Sequence, residues 1–128
     1  MNIINISSKG VPFKKIRFLL IVILILTACK FFTPEPPGVG EKAEHGYAAL
    51  DPIIKALEQY RADKGAYPEA IEELSPEYLS EIPTEVNDQP ISYTKAGKSF
   101  SVTFHYTGPG MNTCTYTPED KWHCSGAY

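Results

Sequence analysis

The spacing of apolar residues divides the chain into three kinds of segment. Residues 18–26 form an unbroken apolar run, whereas apolar side chains between residues 47 and 60 recur at steps of three and four, the period of one helix face. Beyond residue 90 the apolar residues recur at every second position, which is typical of strands that bury one side. This order predicts an α+β fold in which one N-terminal helix packs on a four-stranded antiparallel sheet.

The helical pattern extends over about residues 41–64, with Leu50 on its apolar face. Gly65 predicts the C-terminal cap, because glycine readily adopts the left-handed conformation that commonly ends a helix. Asp51 and Pro52 leave two alternatives open. They are either an N-cap followed by proline at the first helical position, or part of a longer helix that is kinked at the proline.

The clearest strand signal is the alternation of apolar and polar side chains between Phe100 and Tyr106. A two-residue loop at Ala96-Gly97 connects this strand to a preceding one and sets Tyr93 opposite Phe100 on the apolar face. The sequence therefore predicts a hairpin in that register.

A second hairpin is predicted at the C-terminal end of the sequence. A three-residue loop at residues 118–120 places Cys114 opposite Cys124. In an exported chain an even pair of cysteines indicates a disulfide, worth about 2–3 kcal/mol in the chain-entropy model. A zinc site that includes His123 is the alternative, but two cysteines with nine residues between them match no usual zinc spacing. No metal and no other cofactor is predicted.

The first part of the chain indicates export. Four positive charges and no acid precede the apolar run, which is nine residues long. A basic start, a short apolar core and small residues after it form the pattern of a secretory signal. A membrane span needs about 20 apolar residues. A helix of a protein core is the remaining alternative, and the charges ahead of the run argue against it.

The stretch LTAC at residues 26–29 resembles the lipobox of bacterial lipoproteins, in which an aliphatic residue and small residues precede a cysteine. The resemblance implies that residues 1–28 are a signal peptide and that Cys29 is acylated on sulfur and anchors the mature chain to a membrane. Lys30 stands where the family's inner-membrane retention signal has aspartate. The implied location is the bacterial cell envelope, at the outer membrane and facing the periplasm. An ordinary cleaved signal or a membrane anchor are the alternatives.

Composition separates a tether from a folded domain. Residues 29–40 are rich in proline and glycine and predict a tether, which leaves residues 41–128 for one small domain. Beyond Cys29 the chain has 15 acidic and eight basic residues, a net charge near −7. This balance lacks the basic footprint of a nucleic-acid-binding protein and favours partners with cationic surfaces.

The stretch IIKALEQYRADKGAYPEAIEEL at residues 53–74 resembles type IV pilins, above all the major pseudopilins of type II secretion. The likeness covers residues 50–83 and rests on the aliphatic helix face, the turn that ends at Gly65 and the Tyr67-Pro68 pair after it. It implies a pilin-like domain in which a sheet follows the helix and a disulfide lies near the C-terminus.

Two departures limit that resemblance. The family's cleavage site places glycine before a long apolar helix with glutamate at its fifth position, whereas Gly10 is followed by a proline and two lysines. The chain is therefore not expected to polymerise as pilins do. The calcium site of some pseudopilins is not carried over, because Glu119 and Asp120 offer too few oxygens for an ion that takes six or more.

The sequence contains no persuasive catalytic set. His45, His105 and His123 show no spacing that indicates a triad or a paired-histidine metal motif, so the chain is predicted not to be an enzyme and to take no small-molecule substrate. The acidic run at residues 69–85 is interpreted as a solvated surface, with a docking face as the alternative. A possible recognition loop is predicted from loop position alone. It consists of Gly108, Pro109, Gly110, Met111 and Asn112.

These observations favour a membrane-anchored lipoprotein that works by binding a protein partner in the envelope. The pilin resemblance implies an accessory component of a type II secretion or type IV pilus system. A periplasmic inhibitor or immunity lipoprotein that neutralises a toxin or hydrolase is the alternative, and an enzyme ranks last.

Overall fold

The protein's structure, a computed structural model, describes Lys14 and residues 34–126. A helix is followed by a short 3-10 helix and then by strands. The elements are α1 (Glu41–Lys64), η1 (Ile71–Leu74), β1 (Glu85–Val86), β2 (Gln89–Pro90), β3 (Ser92–Ala96), β4 (Ser99–Thr107), β5 (Met111–Thr117) and β6 (Lys121–Gly126). Strands β3 to β6 form one antiparallel sheet in chain order, which confirms the predicted α+β fold. None of the described helices is long and apolar enough to cross a membrane.

The sequence left two possible starting points for helix α1, and the helix begins at the earlier one. It begins directly after Gly40 and contains Pro52, so the alternative with an N-cap at Asp51 is wrong. Packing explains the difference, because Ala43 and Leu50 are both fully buried ahead of the proline. Tertiary contacts supply most of the stability of such a helix and here outweigh the donor that proline lacks.

Gly65 ends α1 as predicted. Its φ is +83°, and its backbone N–H donates to the carbonyl oxygen of Arg61 at 2.8 Å. A left-handed residue that bonds back to the last turn in this way closes a helix and turns the chain away from it. The segment after Gly65 therefore folds back towards the sheet.

The core lies between α1 and the inner side of the sheet. Gly46 allows α1 to approach the sheet closely. A Cβ at this position would lie only 2.1 Å from Cε2 of Phe104 on β4. Phe104 makes edge contacts with the rings of Tyr47 and Trp122, at centroid distances of 5.5 Å in both cases. The largest fully buried side chains are Phe100, Phe104, Leu50, Ile53, Leu57, Leu74 and Val102.

The hairpin of β3 and β4 differs from its predicted register. Gly97 is the first residue of the loop rather than the second, so Tyr93 pairs with Val102 and Phe100 pairs with Lys95. The two-residue loops that suit hairpins need a positive φ at their first position, and Gly97 has φ +61°. The predicted loop would have required that conformation of Ala96. The shift leaves the same side of each strand facing the core.

The hairpin of β5 and β6 has the predicted register. Thr117 pairs with Lys121, and Cys114 pairs with Cys124. The two cysteines form a disulfide with their Cα atoms 4.1 Å apart, so the predicted bond is confirmed. Cys114 is completely buried beneath α1.

A two-stranded sheet of β1 and β2 was not predicted. Asn87 and Asp88 form its turn and both have positive φ, which asparagine and aspartate tolerate better than other side chains. The side chain of Asn87 donates to the carbonyl oxygen of Lys42 at 2.8 Å and lies 3.0 Å from Nδ1 of His45. This turn therefore fastens the small sheet to the first turns of α1.

Candidate functional site

The last part of the predicted tether is docked on the domain. The backbone N–H of Gly38 donates to the hydroxyl of Tyr106 at 2.8 Å, and the hydroxyl of Tyr47 donates to the carbonyl oxygen of Gly38 at 3.0 Å. The same hydroxyl of Tyr47 lies 3.1 Å from Sγ of Cys124. Burial, and then the neighbouring Tyr106, raise the pKa of Tyr47. Residues 34–40 thus join the domain where α1 begins, a region called here the tethered end.

The predicted recognition loop also lies at the tethered end. Lys42, in the first turn of α1, donates to the carbonyl oxygen of Thr107 at 2.7 Å. A cleft of about 330 Å³ lies between the loop and the docked tether. Met111 is 52% exposed, but Asn112 is only 5% exposed and is enclosed between neighbouring backbone. Asn112 therefore helps to build the loop, whereas Gly108, Pro109 and Met111 are exposed and could be reached by a partner.

The opposite end of the domain, called here the distal end, gathers three turns. The end of α1 and the turn after β3 line one cleft of about 280 Å³, to which Arg61, Gly97 and Lys98 contribute. Ser99 donates its hydroxyl to Glu119 at 2.7 Å, which brings the turn between β5 and β6 to the same end. This hydrogen bond is the main reason why the pKa of the Glu119 carboxyl lies below its ordinary value.

The segment after α1 carries the acidic run and is held by tyrosines. The hydroxyl of Tyr60 donates to Glu73 at 2.9 Å, and the hydroxyl of Tyr78 donates to Asp63 at 3.1 Å. Partial burial and the bond to Asp63 raise the pKa of Tyr78 to about 12. The glutamates of the run are exposed, namely Glu69, Glu72, Glu73, Glu77, Glu81 and Glu85.

The side of the sheet that faces away from α1 carries short polar side chains. The burial of β4 alternates strictly, and its less buried residues line up with those of neighbouring strands. One row runs from Ser92 through Thr103 and Thr115 to His123. The name hydroxyl face is used here for the outward residues of β4, β5 and β6. It is centred on Thr103, His105, Thr113, Thr115 and His123. Lys121 lies at its edge, with its ammonium over the ring of Tyr116 at 5.6 Å from the centroid.

The three histidines do not come together with acids in a catalytic arrangement. His45 lies 3.0 Å from the side-chain oxygen of Asn87, and His105 lies 3.0 Å from the hydroxyl of Thr113. His123 is exposed on β6. Within the described part of the chain, no three histidine, cysteine or acidic side chains are grouped as metal ligands.

The hydroxyl face is the surface that sequence reasoning did not single out. Its signal was present as the alternation of β4 and the threonines at every second residue of β5. Such alternation is also the ordinary pattern of a solvated sheet face, so it did not indicate a site.

None of the known protein families, curated proteins or solved structures compared with this chain matches it. The predicted lipidation residue, Cys29, lies outside the described residues.

Proposed function

We propose that the chain is a lipid-anchored, non-catalytic binding protein of the bacterial cell envelope. The observation that carries this proposal is the docking of Gly38 between Tyr47 and Tyr106, which fixes where the tether leaves the domain. A domain held at one end presents its distal end and its outward sheet face to partners. The lipobox resemblance supplies the anchor for this arrangement.

The short span between anchor and domain strengthens this reading. Pro34 is five residues after Cys29. An extended chain covers at most about 3.6 Å per residue, so an acylated Cys29 keeps the tethered end within about 18 Å of the lipid. Such an anchor leaves little room for a partner at the tethered end. The recognition loop that was predicted at residues 108–112 is accordingly a poorer binding surface than the distal end.

A role beside a type II secretion or type IV pilus system is supported by the resemblance of residues 50–83 to pseudopilins. These residues form the second half of α1 and the tyrosine-held segment after it. The departures at the N-terminal side argue against polymerisation, so the expected role is that of an accessory component. Fold likeness alone is a weak guide to function.

The second candidate, an inhibitor or immunity lipoprotein, is favoured by the exposed glutamates of the acidic run at residues 69–85. Carboxylates presented on one continuous segment suit a cationic cleft of a toxin or hydrolase, and charge complementarity speeds and selects such encounters. The proposed partner is then a basic enzyme that reaches the periplasm.

Site-specific photo-crosslinking in intact cells tests the proposal and separates the two candidates. A photoreactive residue at Lys98 reports the distal end, and the same residue at Met111 is the matched control at the tethered end. Capture of envelope proteins at Lys98 but not at Met111 is expected. Secretion or pilus components among them support the first candidate, and a toxin or hydrolase supports the second. Capture at Met111 alone, or at neither position, would contradict the proposed function.

A further inference from the structure

We propose that the docked tether controls thiol–disulfide exchange at Cys124. Residues 36–39, called here the strap, lie against the more accessible sulfur of the disulfide, and a thiol reaches that sulfur when the strap lifts away. The inference goes beyond the proposed binding role, because it gives the chain a redox-dependent state. It depends on contacts among the described residues and not on the lipid anchor.

The strap contacts strand β6 at two positions. Pro37 packs against Gly126, where a Cβ would lie 3.2 Å from Cγ of the proline. One residue further along the strap, a Cβ at Gly38 would lie 2.8 Å from Sγ of Cys124. The backbone of the strap therefore passes directly beside the sulfur, at a distance that leaves no space for a side chain or for a second sulfur atom.

The two ends of the disulfide differ in burial. Cys114 is completely buried, whereas Cys124 is only partly buried and lies on the edge strand of the sheet. The hydroxyl of Tyr47 lies 3.1 Å from Sγ of Cys124 and donates to the carbonyl oxygen of Gly38. One side chain thus touches the sulfur and also holds the strap. An attacking thiolate has to reach a sulfur, so Cys124 is its point of entry.

Reduction by a dithiol then proceeds in two exchange steps. A thiolate of the reductant attacks Sγ of Cys124 and forms a mixed disulfide, while Cys114 leaves as a thiolate and takes up a proton. The second thiolate of the reductant attacks the reductant's own sulfur in the mixed disulfide. This step closes an oxidised cyclic disulfide and releases Cys124, which is also protonated. One dithiol is oxidised for each protein disulfide reduced, and the strap controls the first step.

Reduction is expected in turn to loosen the strap. Two sulfurs that are no longer bonded cannot stay at bonding distance, and Cys114 lies in the close-packed core. Sγ of Cys124 therefore has to shift, although it already touches Gly38 and Tyr47. Coupling between two states is reciprocal, so a strap that protects the disulfide is itself stabilised by the disulfide.

A loosened strap would change the reach of the domain. When residues 34–40 leave the domain and extend, they add about 25 Å to the span between anchor and domain, at about 3.6 Å per residue. The reduced protein would then carry its binding surfaces further from the membrane than the oxidised protein. This consequence alone rests on the proposed anchor.

The rate at which dithiothreitol reduces the disulfide under native conditions tests the inference. The full chain is purified from membranes in detergent, and alkylated thiols are counted by mass after quenching. Reduction through an open strap follows the population of that state. Gly38→Ala is expected to raise the rate about tenfold, because strain at a positive φ weakens the closed strap. Tyr47→Phe removes the hydroxyl that holds Gly38 and is expected to raise the rate several-fold.

Two matched variants separate the strap from a general loss of stability. Gly65→Ala places alanine at a similar φ at the end of α1, and Gly46→Ala overpacks the core against Phe104. Both should be reduced at the rate of the unchanged protein, because neither residue touches the strap. Equal rates for the unchanged protein and Gly38→Ala, or an equal rise with Gly65→Ala or Gly46→Ala, would overturn the inference.

Hydrogen exchange measures the coupling in the other direction. The amide of Gly38, which donates to Tyr106, should exchange faster in the reduced protein than in the oxidised protein, while the amides of β4 stay protected. An unchanged exchange rate of Gly38 after reduction would contradict the coupling. Neither readout depends on acylation, so an unmodified Cys29 would contradict the anchor and leave this inference standing.

Discussion

The backbone N–H of Gly38 donates a hydrogen bond to the hydroxyl of Tyr106, 2.8 Å away and 68 residues further along the chain. This bond ties the end of the predicted tether to the last turn-proximal residues of β4, an inner strand of the sheet. Gly38 has φ +85°, and a Cβ there would lie 2.8 Å from Sγ of Cys124. The tether, the helix and the disulfide hairpin therefore meet at one backbone position that only glycine fits.

Gly38→Ala is expected to loosen the docked tether and to lower the free energy of unfolding by about 2–3 kcal/mol, from backbone strain together with the contact to Cys124. Gly65→Ala is the control, because Gly65 has a similar φ of +83° but open space around its Cβ position. It should lose only about 1–2 kcal/mol. Urea denaturation gives both values, and hydrogen exchange of residues 36–39 reports the loosening. Equal losses in the two variants would contradict the described packing of Gly38.

Gly46→Ala is expected to destabilise the domain although alanine favours helices by about 1 kcal/mol over glycine. The added Cβ would lie 2.1 Å from the ring of Phe104, which is fully buried and has no room to move. Overpacking of this kind costs about 1–3 kcal/mol or more. Ala62→Gly, at an exposed position of α1, calibrates the helix preference alone. A rise in the urea midpoint of Gly46→Ala would show that α1 does not approach the sheet this closely.

Glu73 is expected to make stability depend on pH. It accepts the backbone N–H of Ala70 at 2.9 Å, the main cause that lowers its pKa, and then the hydroxyl of Tyr60 at 2.9 Å. The pKa of Glu73 is lower in the folded state than its ordinary value of 4.5. The contribution of Glu73 to the free energy of unfolding is therefore complete above pH 4.5 and is lost as the pH falls through the pKa of the folded state.

Glu73→Gln should therefore be less stable than the unchanged protein at pH 7, and the difference should shrink below about pH 4.5. Thermal unfolding across that range measures it. Glu72→Gln removes a charge from the same turn and reports the general effect of net charge. A difference for Glu73→Gln that stays constant from pH 7 to pH 3 would contradict the assigned bonds.

The disulfide is expected to contribute about 2–3 kcal/mol to the free energy of unfolding, because it closes a loop between residues ten apart in sequence. A variant with both Cys114→Ala and Cys124→Ala should lose about that amount in urea denaturation. A reducing agent should shift the unchanged protein by a similar amount and leave the variant unaffected. Non-reducing peptide mapping that finds two free thiols in the exported protein would contradict the bond.

Local turn chemistry decided which parts of the sheet could be predicted. The last hairpin was predictable because its loop length and its two cysteines indicate the same register. The first hairpin was shifted because the position of Gly97 within the loop depends on φ, which apolar alternation does not reveal. The strands β1 and β2 are too short for a periodic signal, although Asn87-Asp88 is a recognisable turn pair.

The candidate surfaces were harder to predict than the fold. Asn112 follows a glycine-rich turn and resembles a loop residue in sequence, yet the docked tether and β6 bury it. A sequence pattern does not show that residues 34–40 fold back on β4, since that contact joins segments about 70 residues apart. The hydroxyl face could be seen only from the registers that pair β4 with β5 and β5 with β6.

The anchor at Cys29 is the central claim, because the assignment of tethered and distal ends depends on it. The most direct measurement is the intact mass of the N-terminal peptide from membrane-extracted protein, with Cys29→Ser compared by fractionation. The expected peptide begins at Cys29 and carries acyl chains, and the Cys29→Ser variant should no longer fractionate with membranes as mature protein. An unmodified Cys29, or a Cys29→Ser protein that stays membrane-bound after its signal is removed, would contradict the anchor.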